Sequence, residues 1–175
     1  VGGRWSEIQW LVAALGVGLG FGLQEIVANF ISGIILLFER PIRIGDTVTV
    51  GEVTGVVSRI QIRATTIRDM DRKELLVPNK MFITDQMINW SLSDPINRVV
   101  IPIGVAYGTD TVLAHQVMQD TVKSLPVILQ EPKPSVYFTG FGESSLNFEV
   151  RAFVKSYEDR FASTHAILME LEKAL

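Results

Sequence analysis

Gly16-Val17-Gly18-Leu19-Gly20-Phe21-Gly22-Leu23 decides the reading of this chain. Glycine at every second position costs a water-exposed helix about 1 kcal/mol per residue relative to alanine. In a bilayer any other backbone conformation leaves unpaired peptide groups at a higher cost. There glycine also lets helix backbones approach closely. At 100° per residue, Val17 and Phe21 form one stripe, with Gly16 and Gly20 about 100° to one side and Gly18 and Gly22 about 100° to the other. Leu15, Leu19 and Leu23 fall nearly opposite the Val17/Phe21 stripe. Two smooth flanks and two apolar edges suit a closed ring of identical helices, each flank meeting a neighbour. Symmetry leaves open which edge faces the axis. An ordinary glycine-rich span in a fixed bundle fits the same stretch. A phosphate loop does not: the spacing is G-x-G-x-G-x-G, with neither a preceding strand nor a following Gly-Lys-Ser/Thr.

The residues around this stretch are those of a membrane segment. No charge occurs from Ile8 to Gln24 or from Ile26 to Phe38, so residues 5–40 read as one apolar helix, continuous or kinked. Its uncharged part before Glu25 sits at the short end of a span. The opening Val1-Gly2-Gly3-Arg4 has no initiator Met or signal-peptide pattern and reads as the middle of a longer protein.

Residues 41–92 read as short strands: Thr47–Val50 stopping at Gly51, Val53–Ile62 with a bend at Gly55, then Ala64–Arg68 and Glu74–Val77 around the polar turn Asp69-Met70-Asp71-Arg72. Residues 93–175 alternate a strand (Val99–Val105), a helix from an N-cap at Thr109 to about Ser124, strands at Val136–Thr139 and Leu146–Val154, and a helix from about Asp159. That order predicts a small α+β sandwich. The expected core of these two zones is Val53, Val56, Ile60, Ile101, Ile103, Phe148 and Val150.

The chain's 175 residues carry a net charge of −3 and no cysteine. The charge gives no support to a nucleic-acid partner, and the absence of cysteine rules out disulfides and Cys-ligated metals. His115 and His165 lie on separate expected helices without metal-ligand spacing. Ser144 and Ser145 lack a nucleophile-elbow context. The expectation is therefore no catalytic residue, no metal and no cofactor. The charged run Asp69 to Glu74 reads as a solvated hairpin, and Trp90 as a packing residue where the β and α/β domains join.

Gly20-Phe21-Gly22-Leu23-Gln24, Ala28-Asn29-Phe30 and Gly33 resemble the pore-helix motif of the small-conductance mechanosensitive channel (MscS-like) family. Phe38-Glu39-Arg40-Pro41-Ile42-Arg43-Ile44-Gly45-Asp46 is similar to that family's junction between membrane helix and β domain. Val53-Thr54-Gly55, Thr65-Thr66-Ile67, Val77-Pro78-Asn79-Lys80, Ile88-Asn89-Trp90-Ser91 and Gly104-Val105-Ala106-Tyr107 follow in order. The nearest likeness is to the large, multi-helix MscK-type members.

The resemblance implies a pore-lining helix, a small Sm-like β barrel domain and an α+β sandwich domain that would continue past Leu175. It implies a homoheptamer in the bacterial inner membrane, with residues after about 40 forming a cytoplasmic chamber. Its partners would be copies of itself, the lipid bilayer, and permeating ions and small solutes. It points the Val17/Phe21 edge at the axis as the pore gate, with Gly16, Gly18, Gly20 and Gly22 packing the ring. The helix would kink in the region of Gln24, Glu25 and Gly33, its amphipathic second half lying along the membrane surface. Arg40 and Arg43 would sit at the lipid headgroups or pair with Glu39 or Asp46. The function implied is opening under membrane tension to release ions and small solutes in hypo-osmotic stress. The alternative is a membrane-anchored Sm-like binding module without channel activity. Against it stand the negative charge and a β zone without an aromatic platform for bases.

Overall fold

A computed structural model describes residues 2–175. The chain falls into two compact units, one ending at Leu92 and the other starting at Ser93. The first opens with α1 (Gly2–Glu39), a single 38-residue helix. At 1.5 Å per residue it is about 57 Å long, well beyond the ~30 Å hydrocarbon core of a bilayer. By length and composition it can cross a membrane. It ends at Arg40, whose φ of 52° is left-handed. Its amide still reaches the Leu36 carbonyl at 3.1 Å, and Pro41 then has no N–H with which to continue the helix.

Five antiparallel strands follow: β1 (Thr47–Val50), β2 (Val53–Ile60), β3 (Ala64–Asp69), β4 (Glu74–Pro78) and β5 (Met87–Asn89), in the order β4-β3-β2-β1-β5. β1 and β2 turn through Gly51-Glu52, with Gly51 at φ 60°, a position where an L side chain is disfavoured. The expected bend at Gly55 is absent. Gly55 pairs regularly with Val48 and Asp69 inside β2, and glycine is needed there because a β-carbon would overlap the Arg68 carbonyl of β3. The irregularity lies further on, as a bulge between Val57 and Arg59.

The expected core is corrected in this strand. The two-residue period of a strand puts Val57 on the inner face, fully buried, and leaves Val56 half-buried on the other. The extra residue then returns Ile60 to the core side. The buried cluster is Leu36, Ile42, Val48, Val50, Val57, Ile67, Val77 and Phe82. Leu36 belongs to α1, so the helix is part of this core. Between β4 and β5 lies α2 (Asn79–Thr84), which buries Phe82. Neither α2 nor β5 was expected, being too short to display a period.

The second unit is a three-stranded antiparallel sheet of β6 (Asn97–Val105), β7 (Ser135–Phe141) and β8 (Leu146–Val154), ordered β6-β8-β7. It packs with α3 (Thr111–Ser124) and α4 (Asp159–Ala174). β8 alternates strictly between buried and half-buried residues. Ile101, Phe148 and Val150 are buried as expected, and Ile103 packs at the edge of the cluster. The α3 cap is Asp110 rather than Thr109: its carboxylate accepts from the amides of Val112 and Leu113 at 2.9 and 3.1 Å. A carboxylate there also suits the positive end of the helix dipole.

Candidate functional site: the apolar helix and its mooring

Every residue of α1 from Gly3 to Val27 is exposed, and nothing else in the chain lies within 4 Å of a β-carbon placed at Gly16, Gly18, Gly20 or Gly22. Val17 is 60% and Phe21 74% exposed, while Leu19 on the opposite edge is 65% exposed. Both edges and both flanks are thus free within one chain.

From Ala28 the helix changes character. Ala28, Asn29, Ser32, Gly33, Ile35 and Leu36 are buried or half-buried. Phe30, Ile31, Ile34, Leu37 and Phe38 stay exposed on the other side. The face toward the β unit is therefore mostly small and polar, closed at its end by Ile35 and Leu36, and the other face is large and apolar. Gln24, Glu25 and Gly33 lie inside one uninterrupted helix, and no break marks a bend there. Gly33 has another use. A β-carbon on it would overlap the Ile62 carbonyl oxygen and come within 2.7 Å of Asn79 Nδ2, so glycine is what allows the helix backbone against the β2–β3 loop.

Two clusters of polar contacts moor the helix. In the first, Asn29 Nδ2 donates to the Glu25 carbonyl at 2.9 Å, and its Oδ1 accepts the Lys80 amide at 2.9 Å. Lys80 Nζ reaches Glu25 Oε1 at 2.9 Å. Neighbouring Asn79 is fully buried: its Oδ1 accepts from Thr65 Oγ1 at 2.8 Å and its Nδ2 donates to the Gln61 carbonyl at 2.8 Å. In the second, the turn after α1 is held by Asp46 Oδ2, which accepts the Arg43 amide at 2.9 Å and Asn89 Nδ2 at 2.8 Å. Asn89 Nδ2 also donates to the Pro41 carbonyl, and Ser91 Oγ accepts the Thr47 amide. Trp90 Nε1 donates to Thr49 Oγ1 at 2.8 Å, giving it a partner inside the β unit.

Arg40 and Arg43 flank an apolar groove lined by Leu36, Leu37, Ile42, Ile44 and Ile60. Among the described residues neither guanidinium makes an ion pair with Glu39 or Asp46; Arg40 Nε reaches only the Leu37 carbonyl, at 3.4 Å. The pairing reading of these two arginines thus finds no support within the chain. The hairpin run after Asp69 is a solvated cluster. Lys73 hydrogen-bonds Asp71 at 2.8 Å, and that bond, then the opposite charge, holds the Asp71 carboxyl below and the Lys73 ammonium above their ordinary values. His115 serves packing, its Nε2 hydrogen-bonded to the Val136 carbonyl.

Asn29, Asn79, Lys80, Asp46 and Asn89 carry the mooring, yet the sequence offers them only as motif letters. One signal was available: an asparagine inside an apolar helix calls for a partner. Replacing Asn79 by Ala would leave the buried Thr65 hydroxyl unpaired, take the donor from the Gln61 carbonyl and open a gap under the helix. The expected loss is about 2–4 kcal/mol of stability, read by denaturant unfolding; a loss under about 0.5 kcal/mol would contradict this role.

The bare glycine-flanked helix, the moored second half and the two folded units match known proteins along nearly the whole chain. Residues 25–92 match the family model described as the mechanosensitive ion channel β-domain, and residues 99–175 that of the mechanosensitive ion channel MscS C-terminal region. The chain belongs to the MscS family. An MscS-family protein of Haemophilus influenzae is 56% identical over 167 residues, covering 95% of this chain and 15% of the relative. The mechanosensitive channel MscK of Escherichia coli is 55% identical over 160 residues, covering 91% of this chain and 14% of that protein. This MscS-family chain therefore spans only about a seventh of those two relatives. The crystal structure of Helicobacter pylori MscS in its closed state superposes with a TM-score of 0.92 at 25% identity, covering 99% of this chain and 68% of that one.

Proposed function

We propose that this chain is the pore-forming region of a channel opened by membrane tension, releasing ions and small solutes under hypo-osmotic stress. The carrying observation is the first half of α1: apolar, exposed on every side, and flanked by glycines with nothing against them. Such a helix needs lipid and copies of itself to cover it.

In this reading copies assemble as a homoheptamer in a bacterial inner membrane. Residues 5–40 are the pore helix, whose first half lines the pore, with Gly16, Gly18, Gly20 and Gly22 in the ring contacts. Residues 41–92 form a cytoplasmic β domain and 93–175 a cytoplasmic α/β domain. The exposed face from Phe30 to Phe38 lies against the bilayer, with Arg40 and Arg43 at its headgroups. Val17 and Phe21 form two stacked apolar rings, one helical turn apart, that close the pore by dewetting. Tension favours the state of larger membrane area, so parting of the helices opens the rings. Patch-clamp recording of the full-length protein is expected to show tension-activated conductance. Silence under tensions approaching membrane rupture would overturn the reading.

A further inference from the structure

Glu25 is the first charge after the uncharged run that ends at Gln24. It follows Phe21 by four residues and Val17 by eight, about 40° and 80° around the helix. It therefore lies beside the stripe read above as pore-facing, just past its second ring. Its carboxylate is not alone there: Lys80 Nζ lies 2.9 Å from Oε1. The Lys80 amide, bound to Asn29 Oδ1, fixes where that lysine side chain begins. With the Glu25 side chain 69% and that of Lys80 39% exposed, the pair adds little to stability. Its effect on nearby ions is another matter. Across a pore mouth narrower than the Debye length of about 8 Å, a ring of carboxylates is poorly screened and concentrates cations. An ammonium held against each carboxylate cancels that field.

We propose that Glu25 and Lys80 form a charge-compensated ring at the inner mouth of the pore, and that this balance sets the channel's preference between cations and anions. The proposal rests on the pore reading of α1.

Its test is the reversal potential of tension-activated current from the full-length protein under a KCl gradient. Lys80→Gln, which bares the carboxylates, should raise the K+ to Cl− permeability ratio severalfold over wild type. Glu25→Gln, which bares the ammonium groups, should move the ratio the opposite way. The double variant Glu25→Gln/Lys80→Gln should return it to the wild-type value. The single variants work in opposite directions, so one that fails to assemble leaves the other decisive. Open variant channels with an unchanged ratio, or a shift of the wrong sign, would overturn the proposal. Wild-type patches silent under tension would overturn the pore reading and this inference with it, a result distinct from open channels whose preference does not move.

Discussion

Cells expressing Phe21→Ser are expected to grow slowly, and patches from them to pass current at tensions where the wild type stays shut. In the proposed pore, closed rings of Val17 and Phe21 would exclude water because both side chains are apolar. A hydroxyl at position 21 holds water in the constriction, and removal of the ring system widens it. If each copy's Phe21 contributes only about 0.5 kcal/mol to the closed state, the contributions add around the ring. For seven copies that is about 3.5 kcal/mol, and low-tension open probability should then rise by about 300-fold. Val17→Asp should act in the same direction. Leu19 supplies the contrast: it is similarly exposed in the single chain but lies on the opposite edge of the helix. Leu19→Ser should disturb packing against lipid or outer helices and lose function rather than leak. Leak from Leu19→Ser with wild-type behaviour of Phe21→Ser would mean that the helix faces the other way.

The elements legible in the sequence are those with an unbroken period. β8 alternates over nine residues with no interruption, and β1 stops where Gly51 turns the chain. The apolar run before Glu25 has no charge to obscure it. What was not legible depends on residues far apart in sequence. Lys80 meets Glu25 55 positions away and Asn29 51 away, and Asn89 meets Asp46 43 away. Within its own segment each of these polar residues resembles any loop residue. The bulge at Val57/Arg59 hides for a related reason: it puts Val57 and Ile60 on one face without altering composition, whereas strict alternation counted back from Ile60 falls on Val56. Gly33 enters the sequence reading only as part of the kink region that the resemblance implies. Its contact with the Ile62 backbone becomes visible only when the β2–β3 loop is placed beside it.

Gly33 also supplies the second large effect, through one substitution whose sign depends on position. Glycine to alanine inside a helix ordinarily stabilises it by about 1 kcal/mol. At Gly22 the added methyl meets nothing in the chain, so the single subunit should gain that amount; any penalty must come from a neighbouring copy and appear in gating or assembly. At Gly33 the methyl would run into the Ile62 carbonyl and crowd Asn79 Nδ2. A backbone oxygen cannot swing aside as a flexible side chain can, so α1 must lift from the loop. Overpacking of this kind costs about 1–3 kcal/mol, enough to outweigh the propensity gain. The strain falls on the first mooring cluster, where the Lys80 amide is bonded across to Asn29. Gly33→Ala should therefore speed hydrogen exchange at the Lys80 amide by about tenfold, while Gly22→Ala leaves it unchanged. Equal exchange in the two variants would mean that the loop yields to the methyl and that glycine at 33 is not required for the mooring.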